Sequence, residues 1–305
     1  MFLTVFSQVC VLMILIAVGF ITGKTGLFNE NGAKVCSNIV MYFVTPCVIV
    51  KSLMMQFDLQ VLRSMGVCFG FSLLLFALTI AAGHLLLRSP DKSKQKVLRF
   101  GAVFSNCGFM GLPLQQALLG EEGALYGSVY IVLFNLLVWS YGVLLMSGDL
   151  HTVSLKKLVV NPGLISLCIG LAIFLFSVPV PSFLYDSVGH MAAMNTPLPM
   201  LIIGFHLSQS HVLNAFRDIR CIVAILLRMV VYPFASLGLL YLLGVRGVLL
   251  VSLVISVSAP VAALTTIFAV KFKGETELSV NMVSASTVIS VVTMPLVITA
   301  AQWLA

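Results

Sequence analysis

Residues Ser105 to Gly120 read SNCGFMGLPLQQALLG. Asn106, Gly108, Gly111, Pro113 and Gln115 here combine amide side chains with residues that interrupt helices. Amides and free backbone N–H groups hold an anion by hydrogen bonding alone, with no charged side chain required. Gly108 and Gly111 permit backbone angles that a Cβ forbids. Pro113 suits the first turn of a new helix, where its missing N–H costs nothing. The stretch predicts a break followed by a half-helix whose N-terminus offers free N–H groups and a partial positive charge. SVSAPVAAL, with Ser258 and Pro260, predicts a second such start. Two N-termini meeting at one point suit a carboxylate.

Further polar candidates stand alone in apolar surroundings. Asn106 either contacts a ligand or satisfies the broken backbone. Asn135, in IVLFNLLVW, either binds ligand or joins helices by hydrogen bonds. Gln115 and Gln116 point to different sides, so at most one lines a cavity. Ser258 either faces ligand or bonds back to its own helix. Arg228, in ILLRMVVYP, is the one charge deep in an apolar run and must face carbonyls, water or substrate. The ten acids all lie in loops or at the ends of apolar runs. No carboxylate is placed where a sodium/proton antiporter keeps its cation-binding acid.

The elements that position these residues are membrane helices. The chain has 305 residues, 60% hydrophobic and 9% charged, too few charges to cover a water-soluble surface. Its mean hydropathy is +1.12. Apolar runs of span length fall at about 3–23, 33–55, 63–87, 97–118, 123–147, 158–179, 182–208, 217–243, 247–270 and 277–303. With the N-terminus outside, 13 of the 17 Lys and Arg residues lie in or beside cytoplasmic loops; Lys51, Arg63 and Arg246 lie outside. The positive-inside rule therefore predicts a multi-pass plasma-membrane protein with both termini outside. The net charge of +7 follows this topology and does not mark a nucleic-acid face.

Ten spans divide into five and five, which forces two repeats into opposite orientations. Thr45-Pro46 recurs as Thr196-Pro197, Pro113 as Pro260, and Gly120-Glu121 as Gly274-Glu275, at offsets of 151, 147 and 154 residues. The predicted fold is all-α: ten transmembrane helices in two inverted five-helix repeats, residues 1–150 and 151–305. Crossed broken helices form spans four and nine.

The sequence resembles the auxin efflux carrier family of bacteria and plants, including its malate and malonate permease-like members. VGFITGKTGLFN, FVTPCVIVKSL, SNCGFMGLPL with GEEG, and SAPVAALTTIFAVKFKGETELS carry the resemblance. It implies crossed broken helices in spans four and nine. It also implies a scaffold of spans one, two, six and seven, a mobile transport domain of spans three to five and eight to ten, and homodimerisation through the scaffold. In plant members, asparagines of spans four and five bind the substrate carboxylate, and Asn106 and Asn135 occupy the matching positions. The plant members' acid in span three has no counterpart here.

Several classes of function are disfavoured. The seven cysteines are scattered without CxxC spacing, so neither a zinc site nor a disulfide framework is expected. GFITGKT is one residue short of a phosphate loop and ends an apolar helix, so nucleotide binding is not expected. No catalytic constellation, metal or cofactor site emerges. The expected function is a secondary transporter of small organic anions, mono- or dicarboxylates, moved by elevator-type alternating access. The alternatives are a cation antiporter and a membrane carboxylate sensor that does not transport.

Overall fold

The computed structural model describes residues 2–152, 161–210 and 212–305. All its regular elements are helices. In chain order they are α1 (Phe2–Lys24), α2 (Glu30–Ile39), α3 (Thr45–Ser52), α4 (Leu59–Leu86), α5 (Lys92–Val103), α6 (Leu112–Leu137) and α7 (Val143–Ser147). There follow α8 (Pro162–Leu175), α9 (Ser182–Ala193), α10 (Pro197–Ser208), α11 (Ile219–Leu226), α12 (Tyr232–Leu242), α13 (Gly247–Ser258), α14 (Leu264–Lys271) and α15 (Thr276–Leu304). Helix fills part of each of the ten apolar intervals. The start of 158–179, with Lys156 and Lys157, lies outside the described residues.

Among the described residues, six stretches are long and apolar enough to cross a membrane: Leu3–Lys24, Glu30–Ser52, Leu59–Leu86, Cys107–Ser147, Ile219–Leu242 and Thr276–Leu304. Apolar side chains such as Ile14, Leu85, Val292 and Leu296 remain exposed on outer faces, as an integral membrane protein requires. Three acids sit where helices begin. Asp58 accepts from Gln60 N–H, Asp91 from Ser93 and Lys94, and Asp218 from Arg220. Each caps orphan N–H groups and complements the helix dipole.

Three prolines follow wide π turns. Val40–Val44 precedes Pro46, Cys107–Gly111 precedes Pro113, and Leu227–Val231 precedes Pro233. Proline lacks an N–H, and its ring clashes with the carbonyl four residues back. Widening the preceding turn moves that carbonyl aside and lets the helix continue. Thr196-Pro197 behaves differently, because a turn at 194–196 separates α9 from α10. The interval 182–208 is thus two helices.

The run Cys107–Ser147 is not one rod. Gly120 adopts φ 66 and ψ −150, a conformation open essentially to glycine alone. In a straight helix Gly127 would lie about 18 Å along the axis from Gln115. Instead, an added Cβ on Gly127 would come within 1.9 Å of Gln115 Oε1. The chain folds back at Gly120, and the second arm packs on the first.

α1 and α10 touch backbone to backbone. A Cβ on Gly204 would lie 2.0 Å from the Ile16 carbonyl oxygen, and one on Gly19 would lie 2.3 Å from that of Leu201. Such approach requires small residues at the interface. Gly204→Val should therefore cost about 1–3 kcal/mol, read as a lower unfolding midpoint in detergent. Gly238→Val, where an added Cβ meets open space, should leave that midpoint unchanged.

Candidate functional site

α5 ends at Val103 and α13 at Ser258, each followed by an extended segment. The two segments pair. Asn106 N–H donates to the Pro260 carbonyl at 2.7 Å, and Ala262 N–H donates to the Phe104 carbonyl at 3.0 Å. They form an antiparallel bridge between Ser105 and Val261, and Val261 N–H donates to Ser286 Oγ of α15 at 3.1 Å. Broken backbone deep in an apolar fold is satisfied by the other break and one hydroxyl.

Beside this crossing lies a cavity of about 570 Å³. Asn106 and Gly108 line it from the first break and Ala262, Ala263 and Leu264 from the second. The chain resumes helix on its far side in both cases, through the turn Cys107–Gly111 and through α14. At the restarts Met110 and Gly111 N–H donate to the Asn106 carbonyl, and Thr265 and Thr266 N–H donate to those of Ala262 and Ala263; only the N–H groups ahead of these lack a preceding helical carbonyl. Asn106, a lining residue, is 6% exposed, and its Nδ2 has no hydrogen-bond partner. Leaving buried donors unmade costs about 1–3 kcal/mol each, so such groups mark a place for a ligand or water.

The predicted site residues separate into two groups. Asn106, Gly108 and Asn135 line the cavity. Asn135 Nδ2 donates to the Ile131 carbonyl of its own helix at 3.0 Å. Gly111, Pro113, Gln115, Ser258, Pro260 and Arg228 are not among the lining residues and build the frame instead. Pro113 opens α6. Gln115 Nε2, fully buried, donates to the Ser252 carbonyl, Ser252 Oγ and Ser256 Oγ at 2.8, 3.0 and 2.8 Å. Ser258 Oγ donates to the Ile255 carbonyl of its own helix at 3.1 Å. Arg228, 1% exposed, donates to the carbonyls of Ala102, Val103 and Val257.

Other wall residues escaped sequence reasoning. Asn161 caps α8 through Gly163 N–H at 2.8 Å and faces the cavity beside Asn135. Its signal was the Asn-Pro-Gly start of a helix. Lys271 ends α14, with Nζ 5.3 Å from the ring centre of Trp139, another lining residue. His206 of α10 also lines it, while none of the lining residues carries a carboxylate. The remaining wall is mostly apolar, including Phe109, Ile131, Phe134, Ile202 and Ile267. An uncharged amide, open amides of the backbone and a rim cation in an apolar chamber suit an organic anion.

A family model described as "Membrane transport protein" matches residues 4–152 and 148–298. The chain belongs to this family, the auxin efflux carriers. Among the relatives of this carrier is an uncharacterized transporter of Methanothermobacter thermautotrophicus, 26% identical over 292 residues. That match covers 93% of the chain and 94% of the relative. An uncharacterized transporter of Methanocaldococcus jannaschii is 27% identical over 307 residues, covering 97% of each. The carrier's frame and chamber make separable demands. Gln115→Leu removes the buried hydrogen bonds of this amide from α6 to α13, so it should lower the thermal midpoint. The loss should be about 1–3 kcal/mol, checked by thermal shift in detergent.

Proposed function

We propose that this carrier is a secondary transporter of small organic carboxylate anions. In this reading it crosses the plasma membrane ten times as two inverted halves, with both termini outside. The carboxylate binds where the half-helix starts meet, against Asn106 and the open N–H groups, with Asn135 beside it. The observation that carries the reading is buried Asn106, with its Nδ2 unpartnered, among lining residues that include no carboxylate. That wall also disfavours a cation antiporter, whose cargo needs an acid.

The geometry supports an elevator cycle caught facing the cytoplasm. The cavity wall includes Ser37, His206 and Lys271, which lie near the basic, cytoplasm-assigned loops. On the opposite side the proposed scaffold closes on the proposed transport domain. Ser52 Oγ of α3 lies 3.3 Å from Ser128 Oγ of α6, and both residues are buried. Lys51 Nζ lies 3.9 Å from Glu121. This second contact is partly exposed and contributes little by itself. An outward-facing state requires both contacts to part.

Two experiments test the reading. In proteoliposomes, a panel of carboxylates with imposed sodium or proton gradients should identify an anion taken up by the wild type. Asn106→Ala should reduce that uptake about ten- to hundredfold, as expected for losing a hydrogen bond to a charged group. Uptake of every tested anion at the wild-type rate by Asn106→Ala sinks the site assignment. In a background without the native cysteines, Ser52→Cys with Ser128→Cys should cross-link on oxidation and stop uptake, with recovery on reduction. Full transport by the cross-linked protein rules out parting at this contact.

A further inference from the structure

Arg228 is a fully buried cation without a buried counter-ion. The ion pairs among the described residues, Lys51–Glu121 and Lys94–Asp218, both lie elsewhere. Its guanidinium instead donates to Ala102 and Val103, at the end of α5, and to Val257, at the end of α13. These are the last turns before the two breaks. A helix C-terminus carries roughly half a negative charge on its unsatisfied carbonyls. Two such ends together come to about one negative charge, which a single guanidinium offsets. The opposite ends of the crossing, where the chain restarts at Cys107 and Leu264, have no such partner. Gly108 and Leu264 of these restarts line the cavity, and a helix start carries a partial positive charge of roughly one half. The crossing is thus compensated on one side and left positive on the other.

We propose that Arg228 is a positioning residue that sets the charge preference of the site. It binds no substrate. It cancels the negative ends of the two half-helices, so the positive ends act on the cavity undiminished, and it holds those ends in one rigid unit. Without it, the uncancelled carbonyls lie one crossing away from a bound carboxylate and repel it through a medium of low dielectric. This inference rests on the carboxylate reading above and adds a requirement that the reading lacks: charge selectivity maintained by a residue outside the cavity.

The test compares binding of a carboxylate transported by the wild type with binding of its uncharged amide analogue, using purified wild type, Arg228→Lys and Arg228→Gln. Damage to packing weakens both ligands together, whereas loss of the compensating charge weakens the carboxylate alone. Arg228→Gln should lower the carboxylate-to-amide affinity ratio about tenfold, within the range of helix-end charge effects. Arg228→Lys, which keeps the charge with fewer contacts, should retain most of that ratio. Should Arg228→Gln fail to fold, Arg228→Lys decides with Arg228→Met as the uncharged partner. A wild-type ratio in the uncharged variant, or equal loss in the lysine variant, overturns this inference alone. A wild type that binds no carboxylate, or prefers the amide, overturns the carboxylate reading and this inference with it.

Discussion

The structure depends on two interrupted helices satisfying each other. A break in a membrane helix exposes carbonyls and amides with no water to receive them. Here Asn106 N–H meets the Pro260 carbonyl and Ala262 N–H meets the Phe104 carbonyl, so each break supplies the other's missing partner. Further groups are met by side chains brought from elsewhere: Ser286 from α15 and Arg228 from the turn between α11 and α12. These residues are costly in an apolar interior and stay there because the breaks occupy them. The chamber is what this arrangement leaves over, bounded by amides that the crossing does not use.

The division between frame and wall follows from direction along the helix. Carbonyls point to the C-terminal end and N–H groups to the N-terminal end, so a break separates acceptors from donors. Acceptors before each break collect the guanidinium of Arg228. After each break the chain lines the cavity, with Asn106, Gly108 and Ala263 among the lining residues. Arg228 thus finds its place against the acceptors, and the residues that line the cavity bring no carboxylate to it.

Much of this was legible in the sequence, because breaks are written locally. Glycine, proline and asparagine within a few positions of an apolar run state a backbone problem without reference to the rest of the chain. The helix-capping acids were legible as residues at span ends for the same reason. What could not be read was side-chain direction. Gln115 and Arg228 were as polar as Asn106, yet both turn to backbone or hydroxyl partners more than 100 residues away. Lys271 looked like a loop cation, and its place beside Trp139 depends on contact between distant helices. The two Thr-Pro pairs looked alike, but one sits after a π turn in a continuing helix and the other follows a turn that ends α9.

The bare contact between α1 and α10 bears on how such a protein can vary. Where backbones meet at Gly19 and Gly204, shape is decided by the absence of side chains, and nothing else on the two helices needs to interlock there. Their outer faces, with Leu3, Ile14 and Ile21 among them, meet a solvent that holds no fixed shape. Any apolar residue of any outline serves at those positions. A helix pair of this kind can exchange most of its surface while its two glycines stay in place. Relatives about a quarter identical can then share the same frame.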